Sequence, residues 1–477
     1  MREIPPARLP HQETGSKFLE TRTAAALLDE QGLGKSRQLL DAISAAKLAG
    51  DIDAALIVCP NTIKPTWGEE IERFTDSPYA LFGAGNKARR LAFQSLKATF
   101  YVINYEAVSA EVASLKALLR FKRFALVLDE SHRIKTPSAR ITRSIHALAP
   151  LAARRYIMSG TPVANKPEDL WAQYYFLDRG ATLGATFEDF QSQYCQTSGG
   201  YTRIDELRER IKDISLRREK EGSVNLPTKT ISRISVILSG RQREMYDELR
   251  STLELWVRNM TGQQILAQAE NILTRLIRLA QLASNPGLID SAYKEEPAKF
   301  VALDRLLSDY LQEPGSKVIV WTSFVENITT LVRRYASLNP VCIHGGMDGA
   351  AKQRSVRAFK KDVSVRVLIA NPAAAREGLT LTEASTAIYL DRTFNLVDFL
   401  QSQDRIHRLS QKRPCNILLL MAEGTIDEFV DFSLEQKHRL ARYTQNDVDE
   451  ITVEDLALEK PQLLRALVEP ATVSRQS

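Results

Sequence analysis

Two sets of short apolar strands, separated by a strand-poor region, constrain the fold of this chain most strongly. In the amino-terminal half, apolar runs such as ALIVC and ALVLD alternate with helical stretches, starting near Ala24. In the carboxy-terminal half, a second set from KVIVW to NILLLM repeats the alternation, and the charged stretch before it has helical spacing. Strands that alternate with helices predict parallel sheets wrapped by helices. The expected fold class is therefore α/β, with two parallel-sheet lobes and a helical insertion.

The same pattern divides the chain into segments. At 477 residues the chain is too long for one ordinary core, so several domains are expected. We expect an amino-terminal lobe at residues 1–180, a helical insertion and linker at 181–298, a second lobe at 299–441 and a short polar tail at 442–477.

Composition excludes several classes of protein. The four cysteines lie far apart without a CxxC pair, which argues against a zinc module or a disulfide framework. No run approaches the roughly 18 apolar residues that span a bilayer, and the start MREIPPARLP lacks the apolar core of a signal peptide. The net charge of +6 is compatible with a polyanionic partner without requiring one. We expect a soluble intracellular protein without a membrane partner, in the cytoplasm of a bacterium or infected host cell, or in a nucleus.

A glycine-rich turn after the first apolar strand predicts a phosphate-binding loop. The segment LLDEQGLGKS has the spacing GxGK[ST], and Asp29 stands where longer loops have their first glycine. Backbone N–H groups of such a turn can surround phosphates. Lys35 adds positive charge and Ser36 adds a hydroxyl. Alone, the motif could be only a turn before a helix.

A pair of carboxylates at the end of another strand supplies the second half of a nucleotide site. In LVLDESHRIK, Asp129 and Glu130 follow directly after apolar residues. One carboxylate can hold Mg²⁺ and the other can orient an attacking water. The two motifs together predict hydrolysis of a nucleoside triphosphate.

Two arginines in the carboxy-terminal half could complete that site. The segment LQSQDRIHRLSQ places Arg405 and Arg408 three residues apart, on one face of a predicted helix. Arginines that reach the phosphates stabilise charge in the transition state of phosphoryl transfer. Hydrolysis would then require the two lobes to close. A solvated basic helix face is the alternative interpretation.

The ordered motifs resemble those of a known family. Gln12, DEQGLGKS, DESH, SGTP at 159–162, REGLTLT at 376–382 and QSQDRIHRLSQ together resemble the Swi/Snf group of superfamily-two helicase-like ATPases. The segment ISLRREKEGSVNLPTK separates this group from DEAD-box helicases, and DESH and GLT bring the chain closest to the HepA-related annealing helicases. The similarity extends from Leu9 to Phe432.

The resemblance implies two RecA-like lobes that use ATP and Mg²⁺. It places Gln12 at adenine, Gly32, Gly34 and Lys35 at the phosphates, and Ser36 and Asp129 at Mg²⁺. It makes Glu130 the catalytic carboxylate and Arg405 and Arg408 arginine fingers. Gln401 and Gln411 would support these arginines at the nucleotide.

Nucleic acid is the implied partner. Small polar residues at predicted strand ends could hold phosphates without reading sequence. The candidates in the first lobe are Asn61, Lys64, Asn104 and Tyr105, and those in the second are His344, Gly345 and Thr380. Simple strand capping is the alternative for each. Arginines of the predicted insertion could grip a duplex or form a solvated face: Arg203, Arg208, Arg210, Arg217 and Arg218.

The sequence therefore predicts an ATP-driven motor that works as a monomer on double-stranded or branched DNA. Three other functions stay open. They are an RNA helicase of the DEAD or DEAH kind, the motor subunit of a restriction complex, and a nucleotide-gated DNA-binding scaffold without turnover.

Overall fold

The structure is a computed structural model of the chain. It describes residues 7–82, 97–196, 200–258, 260–261, 264, 267–375 and 379–452. The described residues form two compact units. The first contains the residues up to 196 together with Tyr201–Asn225 and Arg439–Thr452, and the second contains Leu226–His438.

A seven-stranded sheet forms the centre of the first unit. Its strands are β1 (Ala24–Leu27), β2 (Ala54–Cys59), β3 (Tyr79–Leu81), β4 (Phe100–Asn104), β5 (Phe124–Asp129), β6 (Arg154–Met158) and β7 (Ser215–Leu216). Their order is β3-β4-β2-β5-β6-β1-β7, and every neighbouring pair is parallel. Every residue of β2 is buried, as expected for a strand covered on both faces.

Helices surround this sheet and join consecutive strands. They are α1 (Pro10–Glu20), α2 (Lys35–Leu48), α3 (Lys64–Phe74), α4 (Tyr105–Ala110), α5 (Val112–Phe121), α6 (Arg140–Leu148), α7 (Trp171–Asp178), α8 (Phe187–Tyr194) and α9 (Ile204–Lys212). An apolar core under the sheet includes Leu39 and Ile43 of α2 and Trp67 and Ile71 of α3. Buried apolar area of this kind is the main stabilising contribution to such a unit.

The second unit contains a six-stranded parallel sheet. Its strands are β8 (Lys229–Val236), β9 (Val318–Trp321), β10 (Val341–Ile343), β11 (Val367–Ala370), β12 (Thr386–Tyr389) and β13 (Cys415–Ala422), in the order β10-β11-β9-β12-β13-β8. Its helices are α10 (Gly240–Arg258), α11 (Ala269–Ser284), α12 (Ala298–Tyr310), α13 (Val325–Arg334), α14 (Gly349–Lys361), α15 (Leu396–Gln403) and α16 (Ile426–Thr444), and the residues of α16 from Arg439 onward belong to the first unit.

Strand β9 shows how this sheet is buried on both faces. Ile319 and Trp321 belong to one apolar cluster, whereas Val318 and Val320 belong to another. Alternate residues of a strand point to opposite faces, so both faces carry a core. The two predicted parallel-sheet lobes are confirmed.

The region 181–298 contains strands that the sequence did not predict. Strand β7 pairs with β1 in the first sheet, and β8 pairs with β13 in the second. Strand β7 is only two residues long, and β8 is an edge strand with mostly exposed or half-buried residues. A polar edge strand lacks the apolar run that predicts a strand. The region therefore contains two strands in addition to the helices expected for an insertion and linker.

All four cysteines are free. Within the described parts of the chain, no helix combines the length and apolar character needed to cross a membrane.

Candidate nucleotide site

The glycine-rich turn adopts the backbone conformation of a phosphate-binding loop. It connects β1 to α2, and Gly32 and Gly34 have φ angles of 95° and 76°. These left-handed conformations favour glycine, because a side chain there would be strained. Gly34 is the N-cap of the 14-residue helix α2. The free N–H groups at a helix start attract anions, so the loop fits a phosphate.

Lys35 lies at the base of this loop. Its Nζ donates to the carbonyl oxygens of Asp29 at 2.6 Å and Glu30 at 3.2 Å. Desolvation lowers the pKa of Lys35, and the nearby carboxylates of Glu130, Asp29 and Asp129 oppose that change. The ammonium group is therefore surrounded by oxygen atoms and lies next to the predicted catalytic carboxylates.

The two predicted carboxylates follow β5. Burial raises the pKa of Asp129 to about 7, and the charge of Glu130 adds to the rise. The indole N–H of Trp67, 2.9 Å from Asp129 Oδ2, and the charge of Lys35 act in the opposite direction. Carboxylate and hydroxyl oxygens are hard ligands of the kind Mg²⁺ prefers, so Asp129 and Ser36 fit this ion chemically.

Glu130 has a strained backbone. Its φ and ψ angles are 53° and 52°, in the left-handed region that non-glycine residues rarely adopt. Its Oε1 accepts from Gln31 of the phosphate loop at 3.3 Å, and its Oε2 lies 3.4 Å from Nδ1 of His132. Strained residues persist where the surrounding structure holds them and are concentrated at functional sites.

The SGTP segment contacts both motifs. Oγ of Ser159 lies 3.2 Å from Nδ1 of His132 and accepts from the N–H of Thr161 at 3.1 Å. A Cβ atom at Gly160 would lie 2.9 Å from Cγ of Gln31, so only glycine allows this close approach. Segments far apart in sequence therefore meet at one end of the first sheet.

Gln12 lies against the phosphate loop. Its Oε1 accepts from the N–H of Leu9 at 3.1 Å. A Cβ atom at Gly34 would be only 2.4 Å from Nε2 of Gln12. This position is compatible with a contact to the nucleotide, and the adenine role remains a prediction.

Arg217 and Arg218 are functional candidates that the sequence interpretation placed elsewhere. They follow β7, and they lie half-buried beside the phosphate loop rather than on a solvated helix. Arg218 donates from Nε to Oδ1 of Asp29 at 2.9 Å and from Nη2 to Gln38 at 2.7 Å. Arg217 donates from Nη1 to the carbonyl oxygen of Leu28 at 2.6 Å. Before them, Ile214 and Leu216 alternate with Ser215, and this short alternation was the sequence signal for a strand end.

The other three arginines of that set form contacts inside the first unit. Arg203 and Arg210 pair with Glu206, and Arg208 donates from Nε to Asn446 at 2.9 Å. The positions of Arg217 and Arg218 therefore give no support to a grip on a duplex. For Arg203 and Arg210, which are exposed, such a contact remains a prediction.

The candidate nucleic-acid residues of the first unit differ in accessibility. Asn61 is exposed, and Lys64 donates to the carbonyl oxygen of Phe82 at 2.8 Å. Asn104 is half-buried and donates to Glu106 at 2.8 Å. Tyr105 is fully buried, and its hydroxyl donates to the carbonyl oxygen of Asp129 at 2.8 Å. A direct contact of Tyr105 with nucleic acid was therefore a wrong prediction, since its ring is in the interior.

The predicted arginine fingers lie in different environments within the second unit. Arg405 is 1% exposed, and it donates from Nε to the carbonyl oxygen of Gln401 and from Nη1 to that of Leu379. Arg408 is half-buried and donates from Nη1 to Oγ1 of Thr380 at 2.9 Å. The hydroxyl of Thr380 thus accepts a hydrogen bond from Arg408. Finger roles for both arginines remain predictions. In this structure the hydrogen bonds of Arg405 connect α15 to the loop that contains Leu379.

The side-chain amide of Gln411 forms hydrogen bonds inside the second unit. Its Nε2 donates to the carbonyl oxygens of Thr382, Ala384 and Ile406, and its Oε1 accepts from the N–H groups of Lys412 and Arg413. These bonds use the hydrogen-bonding capacity of the amide, so a contact of Gln411 with the nucleotide remains a prediction and would require them to rearrange. Gln401 is likewise buried, at 1% exposure.

The other predicted positions of the second unit follow strands. His344 and Gly345 come directly after β10, where Gly345 is exposed and has open space around it. The first three residues of the REGLTLT motif, at 376–378, lie outside the described residues.

The fold and the phosphate loop place this protein among P-loop ATPases. Comparison with protein families narrows the class. The sequence profile of the SNF2-related domain matches residues 11–288, and that of the helicase conserved C-terminal domain matches residues 298–410. The chain therefore belongs to the SNF2-related family of helicase-like ATPases, which use ATP.

Curated relatives are slightly more than a quarter identical to this chain over the aligned residues. The human DNA annealing helicase and endonuclease ZRANB3 is 28% identical over 460 residues, which cover 92% of this chain and 40% of that protein. The putative ATP-dependent helicase/translocase YwqA of Bacillus subtilis is 27% identical, with coverage of 94% and 50%. The chain thus spans half or less of the length of these relatives.

A similar solved structure is the Sulfolobus solfataricus SWI2/SNF2 ATPase core in complex with dsDNA. It is 23% identical and has a TM-score of 0.44, with coverage of 95% of this chain and 99% of that one.

Proposed function

We propose that this chain is a DNA-stimulated ATPase motor that moves along or remodels double-stranded or branched DNA. The observation that carries the proposal is the meeting of the phosphate loop and the carboxylate pair at one end of the first sheet. Gln31 of the loop donates to Glu130, and Lys35 lies beside both carboxylates. Membership of the SNF2-related family supports the motor function, as do the printed names of relatives that include an annealing helicase and a helicase/translocase.

The residues of the first unit have distinct roles in this proposal. Gln12 contacts adenine, and the N–H groups at Gly32 and Gly34 hold phosphates together with Lys35. Ser36 and Asp129 supply oxygen ligands to Mg²⁺, which neutralises phosphate charge when bound.

Glu130 is the proposed catalytic base. It orients the attacking water and accepts its proton, because its backbone conformation and its contacts with Gln31 and His132 fix the carboxylate.

Arg408 is the proposed finger that stabilises the charge developing on the phosphates. Its guanidinium is half-buried and is held by Thr380. Arg405, which is buried, fixes the loop that contains Thr380 through the neighbouring carbonyl of Leu379. A finger role for Arg405 would require these internal hydrogen bonds to rearrange.

DNA is proposed to bind through its backbone. Asn61 is an exposed polar residue at the strand end before α3, and Gly345 is its counterpart after β10. Backbone contacts of this kind position a protein on DNA without reading its sequence. Affinity for DNA should therefore fall as salt increases. The motor is proposed to act as a monomer.

Steady-state ATPase rates with different polynucleotides test the proposal. We expect duplex or forked DNA to raise the rate well above the rate without nucleic acid, whereas Glu130→Gln should be inactive with all of them. Stimulation by RNA alone would instead indicate an RNA helicase. A zero rate with every polynucleotide would indicate a binding scaffold without turnover. Copurification with a nuclease or methylase would indicate the motor of a restriction complex.

A further inference from the structure

Two segments that are expected to face nucleic acid each donate a hydrogen bond to Asp129 inside the first unit. Helix α3 begins at Lys64, just after Asn61, and α4 begins at Tyr105, just after Asn104. From α3, the indole N–H of Trp67 donates to Oδ2 of Asp129 at 2.9 Å. From α4, the hydroxyl of Tyr105 donates to the backbone carbonyl of the same residue at 2.8 Å.

The Trp67 contact is suited to orient the Asp129 carboxylate. Trp67 is 2% exposed and belongs to the apolar core under the sheet, so packing holds its ring in one orientation on α3. The indole has one donor, and that donor meets one carboxylate oxygen. The other oxygen, Oδ1, accepts from the N–H of Glu130 at 3.0 Å. A carboxylate has about four acceptor positions, so both oxygens can still bind a metal ion.

Helix α3 is closely packed around Trp67, so a movement of the helix start would displace the Trp67 side chain. Trp67 lies one turn after the start of the helix, and a Cβ atom at the next residue, Gly68, would be 3.2 Å from the ring of Tyr79. Protein interiors are close-packed and transmit small displacements. A shift at the helix start therefore moves the indole N–H relative to Asp129.

We propose that Trp67 is a positioning residue that couples DNA contact at the start of α3 to the orientation of Asp129. The inference deepens the proposed function and rests on it. When DNA engages the start of α3, the indole N–H holds the carboxylate in the orientation that binds Mg²⁺·nucleotide. Linkage requires the converse, so nucleotide should strengthen DNA binding by the same factor.

Calorimetric titration of Mg²⁺·ADP, with and without duplex DNA, tests the coupling directly. In the wild type we expect DNA to tighten Mg²⁺·ADP binding about tenfold, within the usual range of coupling between sites. Trp67→Phe keeps an aromatic ring and removes the N–H group. It should still bind DNA and Mg²⁺·ADP, but the coupling factor should fall below about twofold. Its DNA-stimulated kcat should fall, while KM for ATP changes little.

Trp171→Phe is the matched control. Trp171 is also buried in the first unit, at 6% exposure, but its indole donates to the backbone carbonyl of Gly184 at 3.1 Å. This variant should lose a similar amount of stability and keep the full coupling. Equal coupling in wild type and Trp67→Phe would overturn the inference alone. A wild type whose kcat for ATP does not rise when DNA is added would overturn the proposed function as well.

A measurement on the wild type avoids dependence on the folding of a variant. The chain has four tryptophans, so ¹⁵N-labelled indole groups give few NMR signals. The Nε1–H signal of Trp67 should shift when DNA is added without nucleotide, and that of Trp171 should not. An unchanged Trp67 signal at saturating DNA would contradict the inference.

Discussion

The guanidinium of Arg217 binds the carboxylate of Asp447, which lies 230 residues later in the chain. Nε and Nη2 of Arg217 donate to this carboxylate at 2.9 and 2.8 Å. The remaining nitrogen, Nη1, donates to the carbonyl oxygens of Leu28 at 2.6 Å and Gly160 at 3.1 Å. One arginine thus connects the segment Arg439–Thr452 to the residue that follows β1 and to the SGTP segment.

We predict that Asp447→Asn destabilises the first unit by about 3 kcal/mol, because removal of one partner leaves a buried charge uncompensated. The side chain of Asp447 is only 2% exposed. Chemical unfolding monitored by circular dichroism measures the change. Asp449→Asn is the control on the same segment, since that side chain is fully exposed, and it should have no measurable effect. Equal stability of both variants would contradict a supporting role for the Arg217 pair.

Lys35→Ala and Glu130→Gln should each reduce kcat by at least about 100-fold, as expected for loss of a charge stabiliser or a general base. Both should keep most of their affinity for DNA, because contacts to the DNA backbone use other residues. ATPase assays and fluorescence anisotropy with labelled duplex DNA separate the two effects. Equal ATPase activity of wild type and Glu130→Gln would refute the catalytic role of this carboxylate.

Arg405→Ala and Arg408→Ala should behave differently. Arg405 is buried and binds two backbone carbonyls, so its loss should cost about 3 kcal/mol of stability. Loss of the half-buried Arg408 should cost less than about 1 kcal/mol but reduce kcat by about 10³-fold, because fingers act in the transition state. Thermal unfolding and steady-state kinetics measure both. If Arg408→Ala weakened only nucleotide affinity, its finger role would be wrong.

Gly34→Ala should impair nucleotide binding beyond its effect on stability. Gly34 and Gly50 share a φ angle of 76°, so alanine at either position should cost about 1 kcal/mol through backbone strain. Only at Gly34 would the added Cβ overlap Nε2 of Gln12, whereas Gly50 has no neighbour within 4 Å. Calorimetry should therefore detect weaker nucleotide binding for Gly34→Ala and wild-type affinity for Gly50→Ala. Equal affinities would remove Gln12 from the nucleotide site.

The sequence predicted those parts of the fold that depend on local pattern. Strands such as Ala54–Cys59 are buried on both faces, so they appear as continuous apolar runs. The phosphate loop was predictable because positive φ angles require glycine at Gly32 and Gly34. These signals are contained in a few adjacent residues.

The parts that were missed depend on contacts between distant residues. The edge strand at Lys229–Val236 has no apolar run, because its residues are mostly half-buried or exposed. Nothing local to Arg217 indicates that Asp447 neutralises it. The burial of Tyr105 likewise follows from its contact with Asp129, which belongs to a different strand. Helical spacing and charge alone favoured solvated arginines, and tertiary pairing overrode that expectation.

The participation of Arg439–Thr452 in the first unit has a practical consequence for dissecting the protein. The amino-terminal unit is discontinuous in sequence, so no single cut yields it whole. A fragment that stops at residue 225 would expose the site where Asp447 belongs and leave the charge of Arg217 uncompensated. Expression of an isolated amino-terminal fragment should therefore require the later peptide to be grafted on through a linker or supplied in trans.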